Sequence, residues 1–449
     1  MLERSEPFSI AVDIAVLRVS SGRQALAALS AAYFGYPDRK LTTIGVTGTK
    51  GKTTTCYIIK AVLEQAGRKT GLIGTIASVI GDEAVPACNT TPESYVLHSM
   101  MAHMVEAGCE YLVMEVSSQG IKQERTAGIF FDYGIFTNLS PDHIGPSEHV
   151  DFQEYLSCKS RLFRQCRVGI VNGDDAHTAE ILADHTCRVV TFSTGKKADL
   201  TASEAVFFSG NGMLGLRFTT EGTMQCRAEI HIPGMFSLYN ALATMAVCHE
   251  LGVADSDILA GLKDVRIKGR VELLPLSEEF HTIIDFAHNE VSTKSLLETL
   301  RRYDPKRIVC IFGCGGNRSR QRRFGMGEAA GRLADLCILT TDNPRFEKLS
   351  DINADIKEGI AKSGGTYLEI DDRKEALAYA ITHAHPGDMI VALGKGHEMY
   401  IETEGVKRHF SEHEALWQIV AEVKSGKRHM KYCKLRQELP EIAPSQSRR

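Results

Sequence analysis

The sequence has little of what would place a protein in a membrane, on nucleic acid or outside the cell. Its 449 residues include one tryptophan, and no apolar stretch reaches the ~18 residues that a membrane-spanning helix needs. The 52 basic and 56 acidic residues leave a formal charge of −4, which argues against general nucleic-acid binding. No N-terminal run combines basic residues, an apolar core and a small-residue cleavage site. We therefore expect a cytoplasmic protein that acts on small molecules.

Paired cysteine motifs are also missing. The 12 cysteines are scattered, with no Cys-x-x-Cys spacing, and most lie in apolar segments such as 309–311 and 336–338. Such cysteines usually behave as small buried apolar residues. The pattern predicts buried free thiols and excludes a disulfide framework or a cysteine-based zinc site.

A glycine-rich segment, Gly45 to Thr55, is the most informative part of the chain. It lies between an apolar run that predicts a buried strand (41–46) and a pattern that predicts a helix (56–65). In such loops the backbone N–H groups converge on nucleotide phosphates, a lysine neutralises them and a threonine binds Mg²⁺. The commonest spacing has glycine where Val46 stands, so this is a variant loop; the alternative is a glycine-rich turn with a solvated lysine. The candidate ATP-binding residues here are Gly48, Thr49, Lys50, Gly51, Lys52, Thr53 and Thr54.

Length and pattern predict more than one α/β domain. At roughly 100–200 residues per domain, a chain of this length divides into two or three. Short apolar runs alternate with helical patterns from Ile44 onward, and a second series of this kind begins after residue 270. We predict a P-loop ATPase domain with a mainly parallel sheet at 41–267 and a Rossmann-like domain at 268–424. Residues 200–232 favour added β-hairpins, and a frayed basic tail is expected at 425–449.

Polar residues follow several predicted strands, where doubly wound sheets place their sites. Glu115 ends an apolar strand and is a candidate Mg²⁺ ligand, although a strand-end glutamate is a loop cap about as often. Asp142 and His143 follow another strand, and Lys159 lies in a helical pattern where an ordinary surface lysine is the alternative. Arg345 follows a later strand, and its planar guanidinium suits a carboxylate, with a loop cap as the alternative.

These motifs together resemble the Mur ligase family, and within it the UDP-N-acetylmuramoyl-tripeptide synthetases that add meso-diaminopimelate. The resemblance runs from about Ala25 to Ile419. Besides the phosphate loop, it rests on Asn-Thr-Thr-Pro-Glu (89–93), Met-Glu-Val-Ser-Ser (114–118), Asn-Leu-Ser-x-Asp-His (138–143), Tyr155 with Lys159, Gly-Arg-Val-Glu (269–272), Gly-Cys-Gly-Gly (313–316), Asp-Asn-Pro-Arg (342–345) and Gly-Lys-Gly-His-Glu (394–398).

The resemblance implies an ATP-dependent amide ligase that uses Mg²⁺ and an acyl phosphate intermediate. Lys52, Lys159 and His143 would be catalytic, and Lys159 would be carbamylated. Thr53, Glu115, His143 and Lys159 would hold the metal ions. The remaining implied contacts are Thr90, Thr91, Ser117 and Arg125 for the acceptor, Arg318, Asp342, Asn343, Arg345, Gly394 and Glu398 for the amino acid, and Arg270, His288 and Asn289 for ATP.

The amino terminus and some motif positions depart from the family pattern. Residues 1–40 match only the end of the family's UDP-binding domain, so a ligase for a UDP-free acceptor is an alternative, as in specialised peptide synthesis or muropeptide recycling. Lys50 replaces the usual asparagine, Gln119 a common histidine and Phe286 a tyrosine. A second alternative is a non-catalytic nucleotide-binding partner, and folylpolyglutamate synthetases are more distant in their motifs. We expect a monomer, with a protein partner as the alternative.

Overall fold

The computed structural model describes residues 18–142, 144–145, 148–210 and 213–437. The chain divides into two compact units. Counting only the described residues, the first comprises those up to 205 together with 218–230 and 236–265, and the second comprises those in 206–217, 231–235 and 266–437. The predicted domain boundaries stay predictions.

Helices and strands alternate along most of the described chain. Up to residue 265 the elements are α1 (Gly22–Tyr33), β1 (Thr42–Thr47), α2 (Lys52–Gln65), β2 (Thr70–Ile73), β3 (Ala77–Ile80), β4 (Glu83–Pro86), α3 (Ser94–Glu106), β5 (Tyr111–Glu115), α4 (Ser118–Lys122), β6 (Phe131–Phe136), α5 (Phe152–Ser160), β7 (Cys166–Asn172), α6 (Thr178–Ile181), β8 (Arg188–Ser193), β9 (Leu200–Gly210), β10 (Met213–Gly222), β11 (Cys226–Ile230), α7 (Met235–Glu250) and α8 (Asp255–Asp264). Short 3₁₀ helices span Pro37–Lys40 and Arg161–Arg164.

The rest of the described chain repeats the alternation. Its elements are β12 (Glu272–Leu274), β13 (His281–Asp285), α9 (Glu290–Arg301), β14 (Arg307–Phe312), α10 (Arg320–Leu333), β15 (Leu336–Leu339), α11 (Leu349–Ser363), β16 (Tyr367–Glu369), α12 (Arg373–Thr382), β17 (Asp388–Leu393), β18 (Tyr400–Thr403), β19 (Val406–His409) and α13 (Glu412–Lys424).

The larger sheet has the strand order β11-β10-β9-β8-β7-β6-β1-β5-β2-β3-β4. From β9 to β2 every neighbouring pair of strands is parallel, and β3 and β4 add antiparallel strands at one edge. This confirms the predicted α/β fold with a mainly parallel sheet. Because β6, β1 and β5 are parallel neighbours, their carboxyl ends meet at one edge, with Val46 opposite Glu115 and Thr47 opposite Phe136.

Helix α2 begins earlier than its apolar pattern indicates. The sequence predicts a start at Cys56, whereas the helix begins at Lys52 directly after Gly51. Gly51 has φ +86°, a left-handed conformation that glycine adopts without steric cost, so the glycine-rich loop leads straight into the first helical turn. Lys52 and Thr53 therefore belong to the helix, not to the loop before it.

The smaller sheet has the order β12-β13-β17-β14-β15-β16, in which only β12 is antiparallel to its neighbour. Alternate strand residues face two apolar clusters. One side packs against α9, α10 and α11 and the other against α12 and α13. This second doubly covered sheet is the Rossmann-like arrangement expected from the sequence.

The frayed tail expected after residue 424 differs from the structure over the described residues up to 437. Met430, Cys433 and Leu435 pack into the apolar cluster of α12 and α13. The backbone N–H of Arg436 donates to the carbonyl of Leu276 at 2.9 Å. The segment is mostly basic and polar, and this average composition led to the prediction of a frayed tail. Three spaced apolar side chains are nevertheless enough to anchor the chain.

All 12 cysteines are free, and all except Cys88 and Cys226 are buried, which confirms the expectation of buried thiols. Among the described residues, no helix is long and apolar enough to cross a membrane.

Candidate active site

Two glycines in the phosphate loop, which follows β1, allow the loop to pack closely against its neighbours. Gly48 has φ +151°, and a Cβ on it would lie 2.0 Å from Oγ1 of Thr137. A Cβ on Gly51 would lie 2.5 Å from Oδ1 of Asn240. The loop therefore packs closely against the end of β6 on one side and against α7 on the other, which fixes the path of its backbone.

The start of α2 presents the features of an anion site. Gly51 occupies the N-cap position and supplies no side-chain cap, so the first N–H groups of the helix lack that internal acceptor. The Lys52 ammonium donates to the carbonyls of Gly48 at 2.8 Å and Thr49 at 3.1 Å. Uncapped N–H groups and a lysine at a helix N-terminus favour a phosphate.

Glu115 is the centre of a hydroxyl and amide cluster next to the phosphate loop. Thr53 Oγ1 donates to Glu115 Oε1 at 2.9 Å. Thr75 donates to the same carboxylate through its backbone N–H at 2.7 Å and through its hydroxyl at 3.2 Å. The carboxylate is buried, and Gly74 leaves room for it, because a Cβ there would lie 2.5 Å from Oε1. A buried carboxylate beside a threonine hydroxyl offers oxygen ligands of the kind that Mg²⁺ prefers.

Lys159 is buried, with 1% of its surface exposed, although a lysine in a helical pattern usually lies at the surface. Its ammonium donates to the carbonyl of Gly48 at 2.9 Å and lies 4.5 Å from the ring centre of Tyr155. Burial, and after it the nearby Lys52 ammonium, holds the pKa of Lys159 well below its usual range. Lys52 and Lys159 thus meet at one carbonyl of the phosphate loop.

The loop after β6 binds the phosphate loop through hydrogen bonds. Asn138 accepts from the backbone N–H of Lys50 at 2.9 Å and donates to the carbonyl of Lys50 at 2.9 Å. The Lys50 ammonium pairs with Asp142 at 3.2 Å. Thr49 shares a hydrogen bond with the Tyr155 hydroxyl at 3.0 Å, which ties the loop to α5, the helix that carries Lys159.

The four predicted acceptor contacts lie in one connected group. Thr75 and Thr90 share a hydrogen bond at 3.0 Å, and Thr91 and Ser117 share another at 3.0 Å. Thr91 also donates to the backbone carbonyl of Glu115 at 2.9 Å. Arg125 donates to the carbonyl of Thr91 at 2.8 Å, which places all four beside the Glu115 cluster. Its guanidinium also pairs with Glu93 at 2.8 Å.

In the second unit, a fully buried lysine joins two of the predicted amino-acid motifs. Lys395 is 0% exposed, and its ammonium donates to Asn343 Oδ1 and to Glu398 Oε2, both at 2.9 Å. Asn343 also donates to Glu398 Oε2 at 2.9 Å. A Cβ on Gly394 would lie 2.5 Å from the Asp342 carboxylate. The loops after β15 and β17 therefore touch through Asp342, Asn343, Gly394 and Glu398.

Arg345 lies on the first of these loops with φ +51°. Its Nη1 donates to the carbonyl of Gly316 at 2.7 Å, and its Nε lies 3.4 Å from the Glu402 carboxylate. The side chain remains 21% exposed, so part of the guanidinium is open to solvent. Arg318 is exposed on the loop after β14.

The residues predicted to approach ATP from the second unit have local partners there. Asn289 caps α9 by accepting from the N–H of Ser292 at 2.9 Å. His288 contacts the carbonyl of Phe286 through Nδ1 at 2.9 Å, and burial lowers its pKa. The guanidinium of Arg270 lies 5.3 Å from the ring centre of Phe286. Their roles toward a nucleotide stay predictions.

Comparison with known proteins agrees with this geometry. The Mur ligase middle domain matches residues 46–248, and the Mur ligase glutamate ligase domain matches residues 269–396. The UDP-N-acetylmuramoyl-L-alanyl-D-glutamate–2,6-diaminopimelate ligase of Clostridium perfringens is 40% identical over 422 residues, which cover 92% of this chain and 86% of the relative. That of Caldanaerobacter subterraneus is 38% identical over 413 residues, 91% of this chain and 84% of the relative. The chain belongs to the Mur ligase family.

Solved structures support the same fold for this Mur ligase. A UDP-N-acetylmuramoyl-L-alanyl-D-glutamate–2,6-diaminopimelate ligase aligns with a TM-score of 0.68 at 27% identity, over 90% of this chain and 84% of the other. A folylpolyglutamate synthase of Mycobacterium tuberculosis aligns with a TM-score of 0.64 at 17% identity, over 83% of this chain and 92% of the other. At that lower identity the likeness concerns the fold alone.

The structure brings most of the predicted residues of this Mur ligase into two clusters, one in each unit. His143 lies outside the described residues, and among those described no group of three or more His, Cys, Asp and Glu side chains forms a metal site. Sequence reasoning missed Thr75 and Lys395 as site residues. Thr75 follows Gly74 directly after β2, so a glycine and a hydroxyl residue at a strand end were the available signal.

Proposed function

We propose that this Mur ligase adds meso-diaminopimelate to UDP-N-acetylmuramoyl-L-alanyl-D-glutamate and couples amide formation to the cleavage of ATP to ADP and phosphate. The observation that carries the proposal is the convergence of Lys52 and Lys159 on the Gly48 carbonyl, in a loop whose next helix carries Thr53, the hydroxyl partner of Glu115 at the end of β5. The relatives of this chain with 34–40% identity bear the name of that ligase.

The donor set fits Mg²⁺ bound with a nucleotide. Thr53 and Glu115 supply a hydroxyl and a carboxylate, and the uncapped start of α2 supplies N–H groups for phosphate oxygens. Bound there, Mg²⁺ would neutralise charge on the phosphates and on the transferring phosphoryl group. Thr75 also holds the Glu115 carboxylate, because its backbone N–H donates to the oxygen that Thr53 contacts and its hydroxyl donates to the other oxygen.

The reaction proceeds in two steps, and Lys52 is placed to stabilise the first. The acceptor carboxylate attacks the γ-phosphorus, the bond to ADP breaks, and an acyl phosphate forms. Lys52, freed from its own loop carbonyls, would face the phosphoryl oxygens, where positive charge stabilises the transfer. The amino group of the second substrate then attacks the acyl carbon and loses a proton, and phosphate leaves the tetrahedral intermediate.

Lys159 would serve this site as a carbamate. Its amine is buried beside the phosphate loop, and an ammonium there would lie close to the cation of Lys52. Addition of CO₂ to the neutral amine, with loss of a proton, replaces the cation by a carboxylate group. That group would supply an anionic oxygen beside the phosphate loop, which is the chemistry a further metal ligand requires.

The amino-acid specificity would come from the second unit. Arg345 is partly open to solvent and presents a planar guanidinium, which suits the distal carboxylate of diaminopimelate. L-Lysine has no carboxylate at that end. Asn343 and Glu398, held together by Lys395, would receive the distal ammonium group.

The test is phosphate release from ATP and Mg²⁺ with meso-diaminopimelate fixed and the acceptor varied. Three reactions contain the UDP-linked muramoyl dipeptide, the same dipeptide without UDP, and no acceptor. Turnover only with the UDP-linked acceptor is expected. Turnover that prefers the UDP-free peptide would replace the proposed acceptor, and phosphate release without any acceptor would contradict a coupled ligase.

A further inference from the structure

The second unit contains a buried ion pair that none of the predicted site motifs includes. Arg373, the first residue of α12, and Glu412, the first residue of α13, are both buried. Nε and Nη2 of Arg373 donate to Glu412 Oε1 at 3.0 and 2.6 Å. A buried ion pair costs desolvation and often adds little stability, so its presence calls for another explanation.

The remaining donors of Arg373 point to that explanation. Nη1 donates to the carbonyl of Thr341 at 3.1 Å, and Nη2 donates to the carbonyl of Leu393 at 2.7 Å. Thr341 directly precedes Asp342, and Leu393 directly precedes Gly394. One guanidinium therefore holds the chain at the points where both predicted amino-acid loops begin.

These two loops come from strands that are not neighbours. Strand β14 lies between β15 and β17 in the sheet, so the ladder hydrogen bonds do not join the two loops directly. Lys395 links Asn343 of the first loop to Glu398 of the second. Asn343 also donates directly to Glu398, so these contacts join the two loops beyond their first residues, whereas Arg373 joins the residues that directly precede Asp342 and Gly394.

We propose that Arg373, oriented by Glu412, is a positioning residue that sets the spacing between the Asp342–Arg345 and Gly394–Glu398 loops and so determines affinity for the amino-acid substrate. The planar fork of arginine can serve two carbonyls and a carboxylate at once, whereas a lysine ammonium cannot span the same set. The identity of the amino-acid substrate in this inference rests on the proposed function. The role of Arg373 in loop spacing is independent of that function.

The experiment compares four proteins: wild type, Arg373→Lys, the apolar pair Arg373→Met/Glu412→Leu, and Arg428→Ala. Arg428 is the matched control, because it pairs with Glu375 of α12 and Glu422 of α13 but contacts neither loop. Each protein is measured for Tm, for the KM of meso-diaminopimelate and ATP, and for hydrogen exchange of the backbone amides at 342, 343, 345 and 346 and at 394–398.

We expect Arg373→Lys to raise the KM for meso-diaminopimelate about tenfold, as for the loss of roughly one charge-assisted hydrogen bond. The KM for ATP should stay within about twofold, because that loss lies on the amino-acid loops. The apolar pair should recover Tm, since buried ion pairs can be replaced by apolar residues, while its KM stays raised and its loop amides exchange faster. Arg428→Ala should leave KM and loop exchange unchanged.

Two results would overturn the inference. One is a KM that returns to the wild-type value in the apolar pair once Tm recovers, which would make the role purely structural. The other is unchanged loop exchange in both Arg373 variants. Exchange needs no substrate, so it judges the inference even if wild type fails to use meso-diaminopimelate and the proposed function is wrong.

Discussion

Replacing Gly48 with alanine should disable the phosphate loop while the fold persists. The added Cβ would lie 2.0 Å from Thr137 Oγ1, and contacts under 3.0 Å force a displacement. Thr137 cannot easily yield, because its hydroxyl donates to the carbonyl of Lys50 at 2.7 Å within the same loop. The loop backbone must therefore move by about 1 Å, a displacement that can cost about 100-fold in rate at a reacting centre.

The displacement would reach both lysines of the site. The Gly48 carbonyl accepts from Lys52 at 2.8 Å and from Lys159 at 2.9 Å, so its movement shifts the two cations together. We expect kcat/KM for ATP to fall about 100-fold, equivalent to about 2.7 kcal/mol of lost transition-state stabilisation. Removal of the obstructing hydroxyl in Gly48→Ala/Thr137→Ala should restore at least part of this loss.

The assay is coupled ADP release under saturating acceptor and amino acid. Gly67→Ala is the control: Gly67 also has positive φ, at +73°, beyond the end of α2, but a Cβ there meets nothing within 4 Å. It should cost about 1 kcal/mol of stability through backbone strain and leave kcat/KM unchanged. Wild-type kcat/KM in Gly48→Ala, or an equal loss in Gly67→Ala, would show that the close contact between position 48 and Thr137 does not control the phosphate loop.

Three further predictions concern single side chains. Arg345→Ala should raise the KM for meso-diaminopimelate about 100-fold, as for two lost charge-assisted hydrogen bonds, with little change for ATP; equal effects on both would remove the assignment. Lys159→Ala should lose activity that added short carboxylates partly restore, and full activity in this variant would contradict the carbamate. Glu115→Gln should raise the Mg²⁺ concentration needed for half-maximal rate at least tenfold, because a neutral amide binds the cation more weakly; an unchanged Mg²⁺ titration would exclude Glu115 as a ligand.

The phosphate loop could be predicted because its signals are local. The glycines, Lys52 and Thr53 are close in sequence, and the apolar run before them identifies the strand. Strand order then places Glu115 beside the loop, since parallel neighbours share an edge. The helix start was misplaced because the apolar period of α2 begins one turn after its backbone does.

Contacts between residues that lie far apart in the sequence could not be predicted from the sequence. Thr75 reaches Glu115 across 40 positions, and Arg373 reaches Glu412 across 39. A serine, threonine or arginine at a strand or helix end has many other uses, so residue type alone does not identify its partner. Likewise, nothing in the sequence around Arg125 indicates that Glu93 already pairs with its guanidinium.

The proposed activity couples the cleavage of ATP to the addition of meso-diaminopimelate. The most direct measurement is mass spectrometry of one reaction that contains ATP, Mg²⁺, the UDP-linked muramoyl dipeptide and equal concentrations of meso-diaminopimelate and L-lysine. We expect a UDP-linked tripeptide that carries diaminopimelate, with one ADP formed for each product molecule. A predominant lysine product, or ADP formed without any tripeptide, would contradict it.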